Sequence, residues 1–214
     1  EDFHRGADDK HGAGGEWRVE KARLRWDVLE AFREAARQAG IPETDDFNRG
    51  DNEGSGFFEV NQRSGIRWNT AKAFLKPIRH RKNLTILTRA HVKRLTIEGD
   101  RVTGAEVHHD GELKRFASRR EVVLSAGAIG SPQILELSGI GRGDVLQNAG
   151  IETVRAVPAV GENLQDHLQL RLVFKVTGVS TLNERASSLY GKAMIEKILK
   201  SDADDSSSLV NKMN

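Results

Sequence analysis

From Ala22 onward, apolar residues recur at helical spacing through Leu24, Val28, Leu29, Phe32, Ala35, Ala36 and Ala39, and Gly40 with Pro42 supplies the stop. This spacing predicts an amphipathic helix. Before it, Glu1 to Gly15 is rich in Gly, Asp and His and reads as loop. Between Thr44 and Gly65, Asp45, Asp46, Asn48, Asp51 and Asn52 favour turns, and their spacing does not fit a calcium loop. Asn69 or Thr70 caps a short predicted helix through Ala71, Ala73, Phe74 and Leu75, ended by Pro77.

Strand-like runs follow at Leu84–Leu87, His91–Ile97, Val102–Val107 and Leu113–Phe116, with Gly99-Asp100 and Asp110-Gly111 as hairpin turns. The run Glu121-Val122-Val123-Leu124-Ser125 reads as a buried strand. A helix is expected after it, with Ser131 as N-cap, Pro132 in first position and Gly139 at the end. Asp144–Ala149, closed by Gly150, is a second short helix, and Val154–Gly161 is extended. Leu168–Val176 alternates as a strand beyond a boundary near Asp166, and Ser201–Asn214 reads as a disordered tail.

Composition narrows the function. The 214 residues are 37% hydrophobic and 30% charged, which fits a globular chain rather than a disordered one. Lysine and arginine total 33 against 31 acids, and the signs are interspersed, so no nucleic-acid partner is expected. The absence of cysteine removes disulfides, thiolate metal sites and cysteine nucleophiles together. His108 and His109 fall on opposite faces of a strand and cannot share a metal, so none is expected. No apolar run approaches the roughly 20 residues of a membrane span, and no signal-peptide pattern opens the chain. The expected location is cytoplasmic, or peripheral to the inner membrane. Because the chain opens with Glu1 inside a polar stretch, a start further upstream is expected.

The strand, small-residue turn and helix from Glu121 to Leu137 is the most informative unit, since open α/β sheets bind ligands beyond the carboxyl ends of their strands. Gly127 and Gly130 serve equally well for close helix packing, and the residues alone leave that alternative open. Gly139-Ile140-Gly141-Arg142-Gly143 follows a helix and reads as a turn between two helices. No Gly-x-Ser-x-Gly elbow occurs, which argues against a hydrolase. Asp166-His167 are sequence neighbours, a poor arrangement for a base and its holder, and are assigned to fixing a turn.

The run from Gly127-Ala128-Ile129-Gly130-Ser131-Pro132 through Gly139-Ile140-Gly141 resembles the second signature of the glucose-methanol-choline (GMC) oxidoreductases. Further stretches agree in order: Gly12-Ala13-Gly14-Gly15, Asp46-Phe47-Asn48, Gly65 to Leu75, and Val160 to His167. The resemblance spans about Gly6 to Lys192 and is closest to bacterial choline dehydrogenase-like members. It implies a mixed α/β fold: the central part of a Rossmann-like FAD-binding domain with a β-meander over residues 1–165, then the beginning of an antiparallel-sheet substrate domain over 166–200. The implied cofactor is FAD and the implied reaction is oxidation of a primary alcohol by hydride transfer to the flavin. The implied partners are a small-molecule alcohol and an electron acceptor, quinone or oxygen.

Carried over by position, Val92 corresponds to a residue whose backbone meets the adenine, Ala126 and Gly127 to a small-residue turn near the adenosine, and Asn69 to a motif near the flavin edge. The chain also departs from the family pattern. It holds neither the Gly-x-Gly-x-x-Gly turn that seats the pyrophosphate nor the terminal histidine that takes the substrate proton, so no catalytic residue is expected within it and it is predicted inactive alone. Similarity fades after Gly191-Lys192, which suggests truncation or a changed reading frame, and the chain is expected to be an internal fragment. A non-catalytic remnant or binding module of the same fold is the rival reading.

Overall fold

The computed structural model describes residues 1–187 and 189–200. In chain order its elements are β1 (Asp2–Phe3), β2 (Arg18–Lys21), α1 (Asp27–Gln38), β3 (Glu59–Val60), β4 (Gln62–Arg63), β5 (Ile66–Arg67), a π-helical turn (Ala71–Leu75) and a 3-10 turn (Lys76–Ile78). They continue with β6 (Ala90–Glu98), β7 (Arg101–His109), β8 (Glu112–Ala117), α2 (Gly127–Leu137), β9 (Ile140–Gly141), α3 (Gly143–Asn148), β10 (Arg155–Ala156), α4 (Leu182–Ala186) and α5 (Leu189–Lys200). The fold is mixed α/β with several small sheets. Two compact units divide it, one holding residues 1–84 and 173–200, the other 85–172. The expected tail at 201–214 lies outside the described residues.

In the first unit, β1 pairs parallel with β2, and β2 pairs antiparallel with β3. The opening residues, expected as loop, therefore join a sheet. Phe3 is buried there and stacks on the His11 ring at 3.8 Å. Helix α1 starts later than its apolar spacing predicts, because Trp26 adopts extended backbone and turns inward against Leu24, Val28, Met194 and Ile195. Asp27 and Glu30 in its first turn and Arg37 in its last suit the helix dipole. It ends in a Schellman motif: Ile41 N–H donates to Ala36 O, Gly40 N–H donates to Arg37 O, and Gly40 takes φ +83. Among the described residues the apolar stripe of α1 is only partly covered, with Phe32 62% exposed. The short helix after Asn69 is π-wound, and the Asn69 side chain caps it by accepting the Lys72 N–H at 3.0 Å.

The second unit is a meander. β6, β7 and β8 pair antiparallel in sequence order, joined by turns at Gly99-Asp100 and Asp110-Gly111. Asp110 at φ +54 and Gly111 at φ +82 have the left-handed backbone that a tight two-residue hairpin needs. Helix α2 packs on β6; Ile134 of α2, Leu95 of β6 and Val107 of β7 are buried, and Leu146 of α3 is the most completely buried large side chain of the described residues. Ser138 ties the layers: its Oγ accepts the Leu95 N–H at 2.8 Å and donates to Ile134 O at 2.5 Å. After α2, the residues read as a plain turn contain β9, which pairs parallel with β10. Gly139 closes this corner, at φ +82 with Val154 packed against its Cα.

Several expected strands do not form. Leu84–Leu87, Glu121–Ser125 and Leu168–Val176 carry no strand structure, and among the described residues no strand pairs with them. A strand is stabilised by its neighbour's hydrogen bonds and side chains, not by β-propensity alone. These runs are also exposed rather than buried: Val123 is 78% and Leu168 94% accessible. Asp166-His167 do not form a turn either; both are exposed, and the His167 N–H donates to Asp166 Oδ1. Helix α2 begins at Gly127, so Ser131 lies inside it; the Ser131 hydroxyl instead accepts the Ala126 N–H at 3.0 Å. Pro132, expected at the first helical position, likewise lies inside the helix, where it removes one N–H from the intrahelical ladder.

Candidate functional site

In the second unit the predicted contact residues lie on β6 and at the start of α2. β6 is an edge strand, with β7 on one side, so its other side presents backbone groups to a neighbour or ligand. Val92 is half-buried and pairs with Val107, and a β-bulge follows between Val92 and Arg94. Bulges re-aim local backbone and recur beside binding sites. Ala126 and Gly127 form the exposed turn into α2. Gly127 has φ +85, and a Cβ built there would meet no atom within 4 Å. The space beside this turn is open, while the backbone conformation itself favours glycine.

A cavity of about 280 Å³ flanks the first turns of α2, lined by Ala128, Ile129, Pro132, Gln133, Glu136, Gly161, Glu162 and Leu164. Both walls belong to stretches that carry the family resemblance, the α2 signature and Val160–His167. The donor set fits the sugar and base end of a dinucleotide: apolar side chains for a ring face and the Glu136 and Glu162 carboxylates as acceptors for hydroxyls. It fits phosphates poorly, since the lining includes no cation and the nearby Arg142 is bonded to Glu162 at 3.0 Å. Asn69 lies in the first unit, exposed, with its side-chain oxygen engaged by Lys72 N–H.

The charged clusters are formed by other residues. Glu106 is buried on β7 and held by Arg94 at 2.7 Å and Arg115 at 2.7 and 2.9 Å. Hydrogen bonds from Arg94 and Arg115 hold its pKa down at about 2. In the first unit, His11 Nε2 lies 2.8 Å from Asp46 Oδ2 and Nδ1 lies 3.3 Å from Glu1 Oε1. Burial opposes a charged imidazole, yet the bonds to Asp46 and Glu1 outweigh it and raise the His11 pKa. Burial likewise opposes a charged Asp46, and the Asn48 N–H, His11 and Arg5 outweigh it and lower the Asp46 pKa. Each group therefore favours the charged form of the other. The sequence reading missed this pair, although it had singled out Asp46-Phe47-Asn48, because nothing in sequence joins positions 35 residues apart. Glu136 and Glu162 were missed as individual residues too; their signal was membership in the quoted runs.

A glycine-opened helix thus packs on an edge strand of a mixed α/β unit, with a cavity lined by two carboxylates at its start. Residues 14–169 match the GMC oxidoreductase family, and the chain belongs to that family. The mitochondrial choline dehydrogenase of Mus musculus is 40% identical over 184 residues, covering 86% of this chain and 31% of the relative. The crystal structure of pyridoxine 4-oxidase from Mesorbium loti aligns with TM-score 0.70 at 37% identity, over 77% of this chain and 33% of that one. An FAD-dependent oxidoreductase from Chaetomium thermophilum aligns with TM-score 0.69 at 26% identity, over 75% of this chain and 28% of that one. The chain thus spans about a third of the length of the relatives it matches.

Proposed function

We propose that this chain supplies the central part of the FAD-binding domain, over residues 1–165, and the opening of the substrate domain, over 166–200, of an oxidoreductase that converts a primary alcohol, choline-like or other, to its aldehyde. The observation that carries this reading is the family match over residues 14–169, which includes the uninterrupted Gly127–Gly141 signature. Relatives named as choline dehydrogenase support an alcohol bearing a quaternary ammonium as one substrate class.

When bound, FAD supplies the acceptor for the hydride leaving the alcohol carbon. In this reading the residues of the chain bind and orient. The edge backbone at Val92 meets the adenine, the open turn at Ala126 and Gly127 admits the adenosine, and the Glu136 and Glu162 carboxylates accept from sugar hydroxyls. Asn69 stands toward the flavin edge through a helix start that its own side chain caps. The pyrophosphate seat and the proton-accepting histidine are not among these residues, so the 214-residue chain alone is expected to hold FAD weakly and to turn over no alcohol.

The test is aldehyde formation from a panel of primary alcohols, choline included, by protein produced from the complete reading frame and by this chain alone. Activity in the first and none in the second is expected. Tight stoichiometric FAD uptake by the chain alone would refute the weak-binding part, and a complete product inert toward every primary alcohol would refute the rest.

A further inference from the structure

The near-even charge of the whole chain hides one segment of a single sign. Residues 60–84 hold seven lysines and arginines and no acid, which leaves 26 of the chain's 33 cations to face all 31 acids elsewhere. The segment lies entirely in the first unit. Other arginines of that unit are paired: Arg5 with Asp45, Asp46 and Glu59, Arg18 with Asp2 and Glu20, Arg33 with Glu30 and Glu43. Within the segment, Arg63 has such a partner, Asp2 at 3.5 Å. Arg67, Lys76, Arg79, Arg81 and Lys82 are exposed and make no ion pair with any described residue. The Lys72 ammonium donates to the Arg67 carbonyl at 2.8 Å, an uncharged partner.

The fold gathers these charges. The bond from Lys72 to Arg67 draws both to the start of the π-helical turn. Along that turn and the 3-10 turn after it, Lys72, Lys76 and Arg79 stand four and three residues apart, about one winding each, and so share a side. Ala73, 1% exposed, is the residue of the turn that faces inward. Arg81 N–H then donates to Ile78 O at 2.9 Å and Leu84 N–H to Arg81 O at 3.1 Å, which keeps Arg81 and Lys82 close to the end of the turn. Like charges one winding apart repel, so the arrangement costs the isolated chain stability and gains it back only against an external anionic surface. Apolar side chains stand in the same stretch: Ile66 is 52%, Phe74 46% and Leu75 40% exposed.

We propose that residues 66–82 form a docking surface for a membrane with anionic headgroups. The charges are strung along a surface instead of converging on a point, which suits many phosphates at once better than one small anion. A nucleic-acid backbone would meet the cations but leave Ile66 and Leu75 without a role, and Phe74 is already stacked on Trp17 at 5.8 Å instead of being free to take a base. An anionic bilayer uses both features: clusters of roughly four to eight lysines and arginines are drawn to it, and apolar side chains enter below the headgroups. Contact is from one side, since no described helix is long and apolar enough to cross a membrane. The proposal does not rest on the flavin reading, and its test reads no turnover.

Cosedimentation with vesicles of the protein from the complete reading frame tests it. Mixed phosphatidylglycerol and phosphatidylcholine vesicles are expected to bind the protein, and phosphatidylcholine vesicles not to. Arg79→Gln, Arg81→Gln and Lys82→Gln together are expected to weaken binding on the order of a hundredfold, at about fivefold for each charge. The same loss of charge in the second unit, by Arg119→Gln, Arg120→Gln and Arg171→Gln together, is expected to weaken it less than about twofold, because distant exposed charges are screened. Ile66→Ser with Leu75→Ser is expected to weaken vesicle binding about tenfold and to leave any binding of a DNA duplex unchanged. Should the serine pair fail to fold, the two charge variants decide. No preference for the anionic vesicles, or equal losses from the two charge variants, would overturn the proposal. A duplex bound as tightly as the vesicles, with vesicle binding untouched by the serine pair, would overturn it in favour of nucleic acid.

Discussion

The two units hold their buried charge in opposite ways. In the second, Glu106 is clamped by Arg94 and Arg115, partners 12 and 9 residues away on adjoining strands of one meander. In the first, Asp46 meets His11, Arg5 and Arg49, and two of these contacts, those of His11 and Arg5, bridge the opening residues to a loop 35 to 41 residues on. Two arginines remain charged at any physiological pH, whereas an imidazole does not. The meander's ionic clamp is therefore local and insensitive to neutral pH, and that of the first unit is long-range and titratable.

Substitutions can break this contrast, read by hydrogen exchange unit by unit. Leu146→Ala is expected to have the largest effect, about 4 kcal/mol, because Leu146 is 1% exposed in a close-packed corner, with loss of protection confined to residues 85–172. Asp46→Ala should cost about 3 kcal/mol, since it leaves His11 and two arginines without their shared carboxylate, with the loss in the first unit. Ser138→Ala should cost about 2 kcal/mol by orphaning the buried Leu95 N–H, again in the second unit. Protection that falls equally in both units for any of these would dissolve the distinction.

A pH series sharpens it with smaller shifts. The His11 pKa is raised above its usual 6.5, so its contribution is complete below that value and is lost as pH rises through the raised one. The Asp46 pKa is lowered below 3.8, so its contribution is complete above that value and is lost as pH falls. The first unit should accordingly be most stable between the two and weaken toward alkaline pH. Glu106, at about 2 against 4.5 unfolded, contributes fully above 4.5 and loses its effect only as pH falls toward about 2. Thermal melts across this range, with His11→Gln as control, check both signs.

What could be read from the sequence follows the same division. The meander was legible almost residue by residue, because Gly99-Asp100 and Asp110-Gly111 fix turns between alternating strands that pair with their nearest neighbours. Helix α1 was legible from its spacing and its Gly40 stop, but not its start, which the burial of Trp26 sets. Leu84–Leu87 and Glu121–Ser125 were misread as strands because pattern reports what a segment would suit and not whether a partner is beside it. At the candidate site, Ala126 and Gly127 showed as small residues before a helix, whereas the Glu136 and Glu162 acceptors emerged only when the fold placed Val160–Leu164 along α2.

The central claim is that these residues belong to a flavin-dependent alcohol oxidoreductase, and the visible spectrum of the protein from its complete reading frame, recorded before and after anaerobic addition of primary alcohols, tests it most directly. The account predicts a yellow protein whose flavin band bleaches with at least one of them. A colourless protein that takes up no FAD, or a flavin band that none of them bleaches, would contradict it.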